Sequence, residues 1–307
     1  MTDRSPSPAV DSSGAPGGGV PGGVPGGVPG GVRGPTGRLP VAFIGHGNPM
    51  NAVIPNRFAD VWATLGERLR RPKAVLSVSA HWFGAGLAVT AMPRPRTIHD
   101  FAGFPRQLFD LQYPAPGSPE LAQRVVELIG RSSIGEHPGA GFSRERPVVA
   151  LDFRWGLDHG TWSVLCRMYP HADIPVVQLS LDGRQPPMFH LELGAALAPL
   201  RDEGVLIMGS GNVVHNLSLV RFGDGAIPFD WAQRFESVVR QHVASGNGLA
   251  LADIDGLGPD AQLSVPTPEH YLPLLYVLGA ADRHDRVQFP VDGIEASSLS
   301  MLSAVLG

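Results

Sequence analysis

The sequence predicts an α/β fold: a single domain with a central mixed, mostly parallel sheet flanked by helices. Short apolar runs rich in Val, Ile and Leu alternate with stretches of helical periodicity from about Leu39 onward. Several of these runs lack polar alternation, which is typical of strands that are buried on both faces of a sheet. In a sheet of this kind we expect the active site at the carboxyl ends of the strands.

The predicted strands and helices alternate along the chain. The strands are 40–45, 73–80, 87–92, 147–153, 174–181, 204–210 and 286–291. The first clear helix covers 118–130, with Ser118 as N-cap, Pro119 at the first helical position and Gly130 at the end. Further helices are predicted over 188–204, 229–246 and 267–280. We expect Pro199 and Pro273 to interrupt or kink two of them.

The first 38 residues differ in composition from the rest of the chain. Their repeated Gly-Val-Pro-Gly units have almost no side chains that could build a core. We therefore predict a disordered Gly/Pro/Val-rich tail over 1–38 and one domain over 39–307.

Composition excludes several classes of protein. A net charge of −4 with 17% charged residues leaves no basic face for nucleic acid. The single cysteine, Cys166, cannot form an internal disulfide and fits a reducing compartment. No apolar run approaches the roughly 20 residues that span a bilayer, and the N-terminus lacks the apolar core of a secretory signal. We expect a cytoplasmic protein without a membrane or nucleic-acid partner.

Three of the eleven histidines follow predicted strands. His46 and His81 each come directly after a strand, and His215 lies shortly beyond the strand at 204–210. Because strand ends meet at one edge of a sheet, these side chains could converge there. Neutral imidazole is a common ligand of Zn²⁺ and Fe²⁺. A His-rich metal site is therefore possible. A single histidine in a glycine-rich loop is better explained by a structural hydrogen bond, whereas for His46 and His81 the two explanations are nearly even.

Further histidines lie in loops or near a helix start. If Thr267 caps the helix at 267–280, His270 lies in its first turn, and the neighbouring Glu269 should point away from a metal held by His270. His159 is predicted in a loop, and His99 could either line a pocket or anchor its loop. The "GSGN" before His215 is also compatible with a phosphate loop, but only weakly.

Taken together, blocks of sequence from about residue 39 to 305 closely resemble the 4,5-DOPA dioxygenase extradiol family, of the class III (protocatechuate 4,5-dioxygenase beta-subunit type) ring-cleaving dioxygenases. The blocks are "FIGHGNPMNAV", "SVSAHWF", "IHDFAGFP", "YPAPGSPELA", "GLDHGTW", "PVVQLSLD", "GSGNVVHNL" and "TPEHYLPLLY".

The resemblance implies one divalent metal ion, Zn²⁺ or Fe²⁺, held by His46, His81 and His270. It implies His215 as a fourth metal neighbour and acid/base histidine, with His159 as an assisting catalytic residue. Where the wider superfamily usually has a carboxylate as third ligand, this sequence has His270. The substrate-binding residues that we expect are Trp82, His99, Phe101, Phe104 and Trp162.

The function expected from the resemblance is extradiol cleavage of a catechol such as DOPA by O₂. A neutral histidine can take a proton from the catechol and later return one. Two alternatives stay open: a zinc hydrolase in which the metal activates water, and a non-catalytic zinc-binding protein of the same fold. The expected partners are the small-molecule catechol and O₂, and the chain could be a monomer or a small homo-oligomer.

Overall fold

An eight-stranded sheet runs through the computed structural model, which describes residues 37–134, 146–223 and 226–307. Its strands lie in the order β4-β3-β5-β2-β6-β1-β10-β7. They are β1 (Val41–Gly45), β2 (Ala74–Gly84), β3 (Leu87–Thr90), β4 (Val149–Asp152), β5 (Val176–Asp182), β6 (Val205–Gly211), β7 (Val287–Val291) and β10 (Ser303–Leu306), and a separate hairpin consists of β8 (Ile294–Glu295) and β9 (Leu299–Ser300).

The centre of the sheet is parallel. Strands β5, β2, β6 and β1 pair in parallel, and β3 pairs in parallel with β4. Antiparallel pairing joins β3 to β5, and β1 to β10 and then β7. The predicted mixed, mostly parallel α/β sheet is confirmed, and each predicted strand is present. The sequence did not lead us to expect β10.

Helices cover both faces of this sheet. They are α1 (Arg57–Arg68), α2 (Arg106–Asp110), α3 (Pro119–Gly130), α4 (His159–Met168), α5 (Pro187–Leu197), α6 (Asp230–Ala244), α7 (Gly248–Leu251), α8 (Ala261–Ser264) and α9 (Leu272–Ala280). In β1, Val41 and Phe43 belong to the core under α3, α5, α6 and α9, whereas Ala42 and Ile44 belong to the core under α1 and α4. Since successive strand residues point to opposite faces, both faces need apolar residues and the strand shows no polar alternation.

Two helix boundaries test the sequence prediction directly. Helix α3 begins as predicted, because the Ser118 hydroxyl accepts a hydrogen bond from the Leu121 N–H. Helix α9 begins at Leu272 rather than at Thr267, so the prediction there is wrong. The Thr267 hydroxyl donates to the Glu269 carboxylate instead of capping a helix.

The two prolines behave differently. Pro273 lies in the first turn of α9, where its missing N–H costs nothing, so it starts this helix rather than kinking it. By contrast, α5 ends at Leu197 and continues as a 3₁₀ turn at Ala198–Arg201, which contains Pro199. The predicted interruption is confirmed only at Pro199.

The predicted tail at 1–38 lies outside the described residues except for its last two positions. Within residues 37–134, 146–223 and 226–307, no helix is long and apolar enough to cross a membrane.

Candidate metal centre

His46 and His81 lie at one edge of the parallel centre of the sheet, at β1 and β2, which are the two neighbours of β6. His46 directly follows β1, and its N–H donates to the Gly211 carbonyl at the end of β6. His81 lies inside β2, where the pairing with β5 jumps from Val78 to Phe83 while β5 advances by only two residues. The extra residues form a bulge in β2, and a bulge changes the direction in which a strand's side chains point. His81 is therefore carried by an irregular segment rather than by the end of a strand.

His270 reaches the same place from the segment before α9. Its carbonyl accepts a hydrogen bond of 2.9 Å from the Asn212 N–H, which directly follows β6. A side chain at Gly211 would collide with this same carbonyl. The absence of a side chain at Gly211 is thus what allows the His270 segment to lie against the end of β6.

These three histidines form a compact group of nitrogen donors. One ring nitrogen from each of His46, His81 and His270 lies within 4.8 Å of the others. The Nε2 atoms of His46 and His81 are 3.3 Å apart. We call these three residues the histidine cluster. Two ring nitrogens on one metal ion lie at most about 4.2 Å apart, because each bond is about 2.0–2.1 Å long. The 3.3 Å between His46 and His81 therefore fits a shared ion, with the His270 nitrogen close by.

Ser210 determines which nitrogen of His46 is free. The Ser210 hydroxyl lies 2.5 Å from the Gly160 carbonyl, which can only accept, so the hydroxyl proton is committed there. Ser210 Oγ must then accept from Nδ1–H of His46, 3.0 Å away. Nε2 of His46 consequently carries a lone pair and faces His81. A ring fixed in this tautomer is ready to bind a metal through Nε2.

Asp100 joins His81 to His159. One carboxylate oxygen lies 3.3 Å from His81 Nδ1, and the other lies 3.0 Å from His159 Nδ1 and accepts the His159 backbone N–H at 2.9 Å. Burial raises the pKa of this carboxyl, but the contacts with His159 and His81 outweigh it and leave the pKa below its usual value. Asp100 is therefore a carboxylate that orients both rings. We did not single it out from the sequence, although it directly follows His99 in a block that we quoted.

His215 stacks on His270 rather than joining the histidine cluster. The two rings are 3.4 Å apart between centroids and almost parallel, at 8°. His215, Glu269 and His270 form a separate group of possible ligand atoms within 4.8 Å. Glu269 lies outside the histidine cluster, and its Oε1 is 3.2 Å from His270 Nδ1. The helix that we assumed for Glu269 is wrong, because α9 begins only at Leu272.

Four histidines of this region, His46, His81, His215 and His270, are neutral near physiological pH. Burial is the largest cause that lowers the pKa of each, and neighbouring imidazoles lower it further. The pKa falls to about 3 for His81 and to about 4 for His215, and well below the usual value for His46 and His270. A metal binds imidazole in its neutral form, so these side chains need no deprotonation before binding.

Two of the predicted substrate-binding rings lie near the histidines. Phe101 meets the His159 ring edge-on at 5.4 Å between centroids, and Phe104 packs edge-on against Phe101 at 5.3 Å. His99 donates from Nε2 to the Leu111 carbonyl at 2.9 Å, so its ring anchors the loop. Phe101 and Phe104 thus form an apolar wall on the His159 side of the site.

The two predicted tryptophans have contacts of their own. Trp82 stacks on Trp155, with the ring centroids 5.2 Å apart and the planes almost parallel. Trp162 is fully buried and donates its indole N–H to the Ile98 carbonyl at 2.7 Å. Substrate binding by Trp82, Trp162 and His99 stays a prediction.

Comparison with known proteins places this arrangement in context. Residues 44–307 match the family described as the catalytic LigB subunit of aromatic ring-opening dioxygenase. The chain is 48% identical over 274 residues to the 4,5-DOPA dioxygenase extradiol of Escherichia coli (strain K12), covering 88% of this chain and 95% of that one. It is 39% identical over 253 residues to the 4,5-DOPA dioxygenase extradiol of Beta vulgaris, covering 80% of this chain and 88% of the relative.

A solved structure supports the same relationship at the level of the fold. The crystal structure of a protein of Escherichia coli K12, described as uncharacterized, matches with a TM-score of 0.73 and 44% sequence identity. The match covers 88% of this chain and 100% of that one.

Proposed function

The chain belongs to the family of the catalytic LigB subunit of aromatic ring-opening dioxygenases, and from this premise we propose that its substrate is a catechol with a DOPA-like side chain. As an extradiol ring-cleaving dioxygenase it is an oxidoreductase that incorporates both atoms of O₂ into a small aromatic molecule. The DOPA-like side chain is taken from the names of the relatives in Escherichia coli and Beta vulgaris.

The donor set fits a divalent metal ion, which His46, His81 and His270 would hold. Their ring nitrogens lie within 4.8 Å of one another, and burial keeps all three imidazoles neutral. When bound, the metal would bring the catechol oxygens and O₂ together and carry the electron transfer between them. We propose Fe²⁺, because Zn²⁺ accepts the same ligands but has no redox chemistry.

The residues around the histidine cluster would move protons and position the substrate. His215 is the proposed base for the catechol hydroxyl, because its ring stacks on that of His270 and is in the neutral form that can accept a proton. His159 would assist in this proton transfer, and Asp100, 3.0 Å from its Nδ1, would orient its ring. Phe101, which contacts His159 edge-on, would pack against the aromatic ring of the catechol and exclude water.

The observation that carries the proposal is the histidine cluster in a chain of this family. To test it, the protein is reconstituted anaerobically with Fe²⁺ and mixed with DOPA and O₂. We expect O₂ consumption, a yellow ring-opened product and both labelled oxygen atoms in that product when isotopically labelled O₂ is used. His46→Ala should abolish the reaction, whereas His171→Ala, at an exposed position, should not change it.

Other results would contradict the proposal. If Fe²⁺-loaded protein leaves a panel of catechols unchanged, ring cleavage is excluded. If Zn²⁺-loaded protein instead hydrolyses esters at a rate independent of O₂, the hydrolase alternative is correct. The cytoplasmic location and the monomeric or small homo-oligomeric state stay proposals, for which fractionation and light scattering are the measurements.

A further inference from the structure

A small cavity lies beside the candidate metal centre. It has a volume of about 200 Å³, and its walls include Asn48, Arg221, Phe222, Glu295, Ala296 and Leu299. Asn48 lies two residues after His46, and Leu299 pairs with His215 in an isolated antiparallel bridge. The cavity therefore lies close to two histidines of the site: Asn48 is near His46 along the chain, and Leu299 pairs with His215.

Arg221 brings a positive charge to this cavity. Its guanidinium lies 4.5 Å above the centroid of the Phe229 ring, and its backbone N–H donates to the Ala296 carbonyl at 2.9 Å. Among the residues that the structure describes, no carboxylate forms an ion pair with it. Stacking fixes the side chain while its planar set of N–H donors stays available, which suits the recognition of a carboxylate.

Glu295 brings a negative charge to the same cavity. Burial raises the pKa of its carboxyl, and the charge of Arg57 opposes this shift only partly. Within the described ranges, the carboxylate has neither a hydrogen bond nor an ion pair. A partly buried carboxylate without a hydrogen bond is unfavourable unless a ligand supplies donors, and an ammonium group supplies donors together with a positive charge.

The backbone holds this carboxylate in place. The two residues after Glu295, Ala296 and Ser297, have φ values of 44° and 67°, a left-handed conformation that is uncommon outside glycine. Hydrogen bonds from the Arg221 and Phe229 N–H groups to the Ala296 and Ser297 carbonyls fix this turn. The same pair of bonds joins the segment that carries Arg221 to the turn that carries Glu295.

Arg221 and Glu295 line one cavity and form no ion pair with each other, so a ligand that carries both opposite charges can fit between them. We propose that Arg221 binds the carboxylate and Glu295 the ammonium of an α-amino acid side chain on the catechol. This inference rests on the proposed function and makes the enzyme selective for zwitterionic catechols. The cavity is smaller than the roughly 300–1,000 Å³ of pockets that enclose a whole ligand, which suits the end of a substrate whose ring lies elsewhere.

The test uses catechols that carry both charged groups, only one of them or neither, so that the roles of Arg221 and Glu295 can be measured separately. Arg221→Gln and Glu295→Gln are assayed with DOPA, dopamine, dihydroxyphenylpropionate and methylcatechol. We expect Arg221→Gln to lower kcat/KM about 10–100-fold for DOPA and dihydroxyphenylpropionate and to leave dopamine and methylcatechol unchanged. Glu295→Gln should lower kcat/KM for DOPA and dopamine and leave dihydroxyphenylpropionate and methylcatechol unchanged.

Arg240→Gln is the matched control. Arg240 also stacks on a phenylalanine, with its guanidinium 4.8 Å above the Phe289 ring, but it does not line the cavity. It should leave all four values of kcat/KM unchanged. Equal losses on all four catechols in the Arg221 and Glu295 variants, or no loss on any, would overturn the inference.

Anaerobic binding distinguishes failure of this inference from failure of the proposed function. Calorimetric titration of metal-loaded protein with DOPA, without O₂, needs no turnover. Tighter binding of DOPA than of methylcatechol, lost in Arg221→Gln, would support zwitterion recognition even if no ring were cleaved. Equal affinity of the wild-type protein for DOPA and methylcatechol would refute it even if both were cleaved.

Discussion

The tautomer of His46 depends on one hydroxyl group, that of Ser210. Because its proton is committed to the Gly160 carbonyl, it can only accept from His46 Nδ1, and this leaves Nε2 with its lone pair toward His81. No sequence pattern marks Ser210 as important. It lies in β6, and its contact with His46 exists only because β6 and β1 are adjacent parallel strands.

Removal of this hydroxyl should weaken metal binding. Without it, nothing holds the His46 ring in the tautomer and orientation that bind metal through Nε2. We expect Ser210→Ala to lower the affinity for Zn²⁺ or Fe²⁺ about 10–100-fold, as is common when an outer hydrogen-bond partner of a histidine ligand is lost. Competition titration against a chelator of known affinity measures the change.

Ser163→Ala is the matched control for this experiment. Ser163 is equally buried, but its Oγ has no hydrogen-bond partner in the described structure. Its removal should leave metal affinity unchanged. If Ser163→Ala and Ser210→Ala bind metal equally well, Ser210 does not fix the His46 tautomer.

His190 should make stability depend on pH. Burial lowers the pKa of this histidine to about 4 in the folded protein, against 6.5 for the exposed side chain, and its Nδ1 lies 3.2 Å from the Tyr276 hydroxyl. Between these two values the unfolded chain binds a proton that the folded protein does not. The free energy of unfolding should therefore fall as the pH drops from about 6.5 toward 4, by about 3 kcal/mol from this residue.

Urea denaturation at several pH values checks this expectation. The free energy of unfolding of His190→Gln should decrease less than that of the wild-type protein over the same pH range, whatever the stability of the variant at neutral pH. Parallel curves for the two proteins would show that His190 does not contribute.

At the scale of elements, α1 and α4 were not predicted, although they position part of the site. Helix α4 begins with His159, and the carboxylate of Asp158 caps it by accepting the Thr161 N–H at 3.1 Å. Gly156 and Gly160 around this segment had favoured a loop. The capping signal of Asp158 was present in the sequence, but its helix is mostly buried and so lacks the polar face that makes a helix recognisable.

Gly66 allows α1 to pack closely on α4. A Cβ at this position would collide with the Met168 carbonyl at the end of α4. We expect Gly66→Ala to destabilise the protein by about 1–3 kcal/mol, despite the higher helix propensity of alanine, because the two helices would have to separate. The midpoint of denaturant unfolding measures this.

Gly130→Ala, a second glycine-to-alanine substitution in a helix, should have the opposite effect on stability. Gly130 is the last residue of α3, and a Cβ there would meet nothing within 4 Å. Alanine should stabilise the protein by up to about 1 kcal/mol. Destabilisation by both substitutions would mean that packing against Met168 is not the cause.

At the scale of the whole molecule, the histidine cluster joins distant parts of the chain. His46 directly follows β1, His81 lies in β2 and His270 lies in the segment before α9. A metal bound to all three is therefore expected to stabilise the folded state against the unfolded chain. At a free metal concentration 100 times the dissociation constant, this linkage corresponds to about 2.7 kcal/mol.

Thermal unfolding with and without metal measures this effect. Protein treated with a chelator should unfold at a lower temperature than protein with Zn²⁺ added, and the difference should grow with metal concentration. In His81→Ala most of the difference should disappear. A shift of equal size in wild-type protein and His81→Ala would show that the metal stabilises the protein elsewhere.

Seven of the eight strands of the main sheet, its mixed, mostly parallel character and the family could be predicted from the sequence, because apolar runs and ordered motifs are properties of neighbouring residues. The sequence also identified each residue of the histidine cluster. The contacts of Asp100, Ser210 and Glu269, and the cavity lined by Arg221 and Glu295, could not be predicted from it. These depend on distances between segments far apart in the chain, and such distances are set by the pairing of strands and the close approach of backbones rather than by any local pattern.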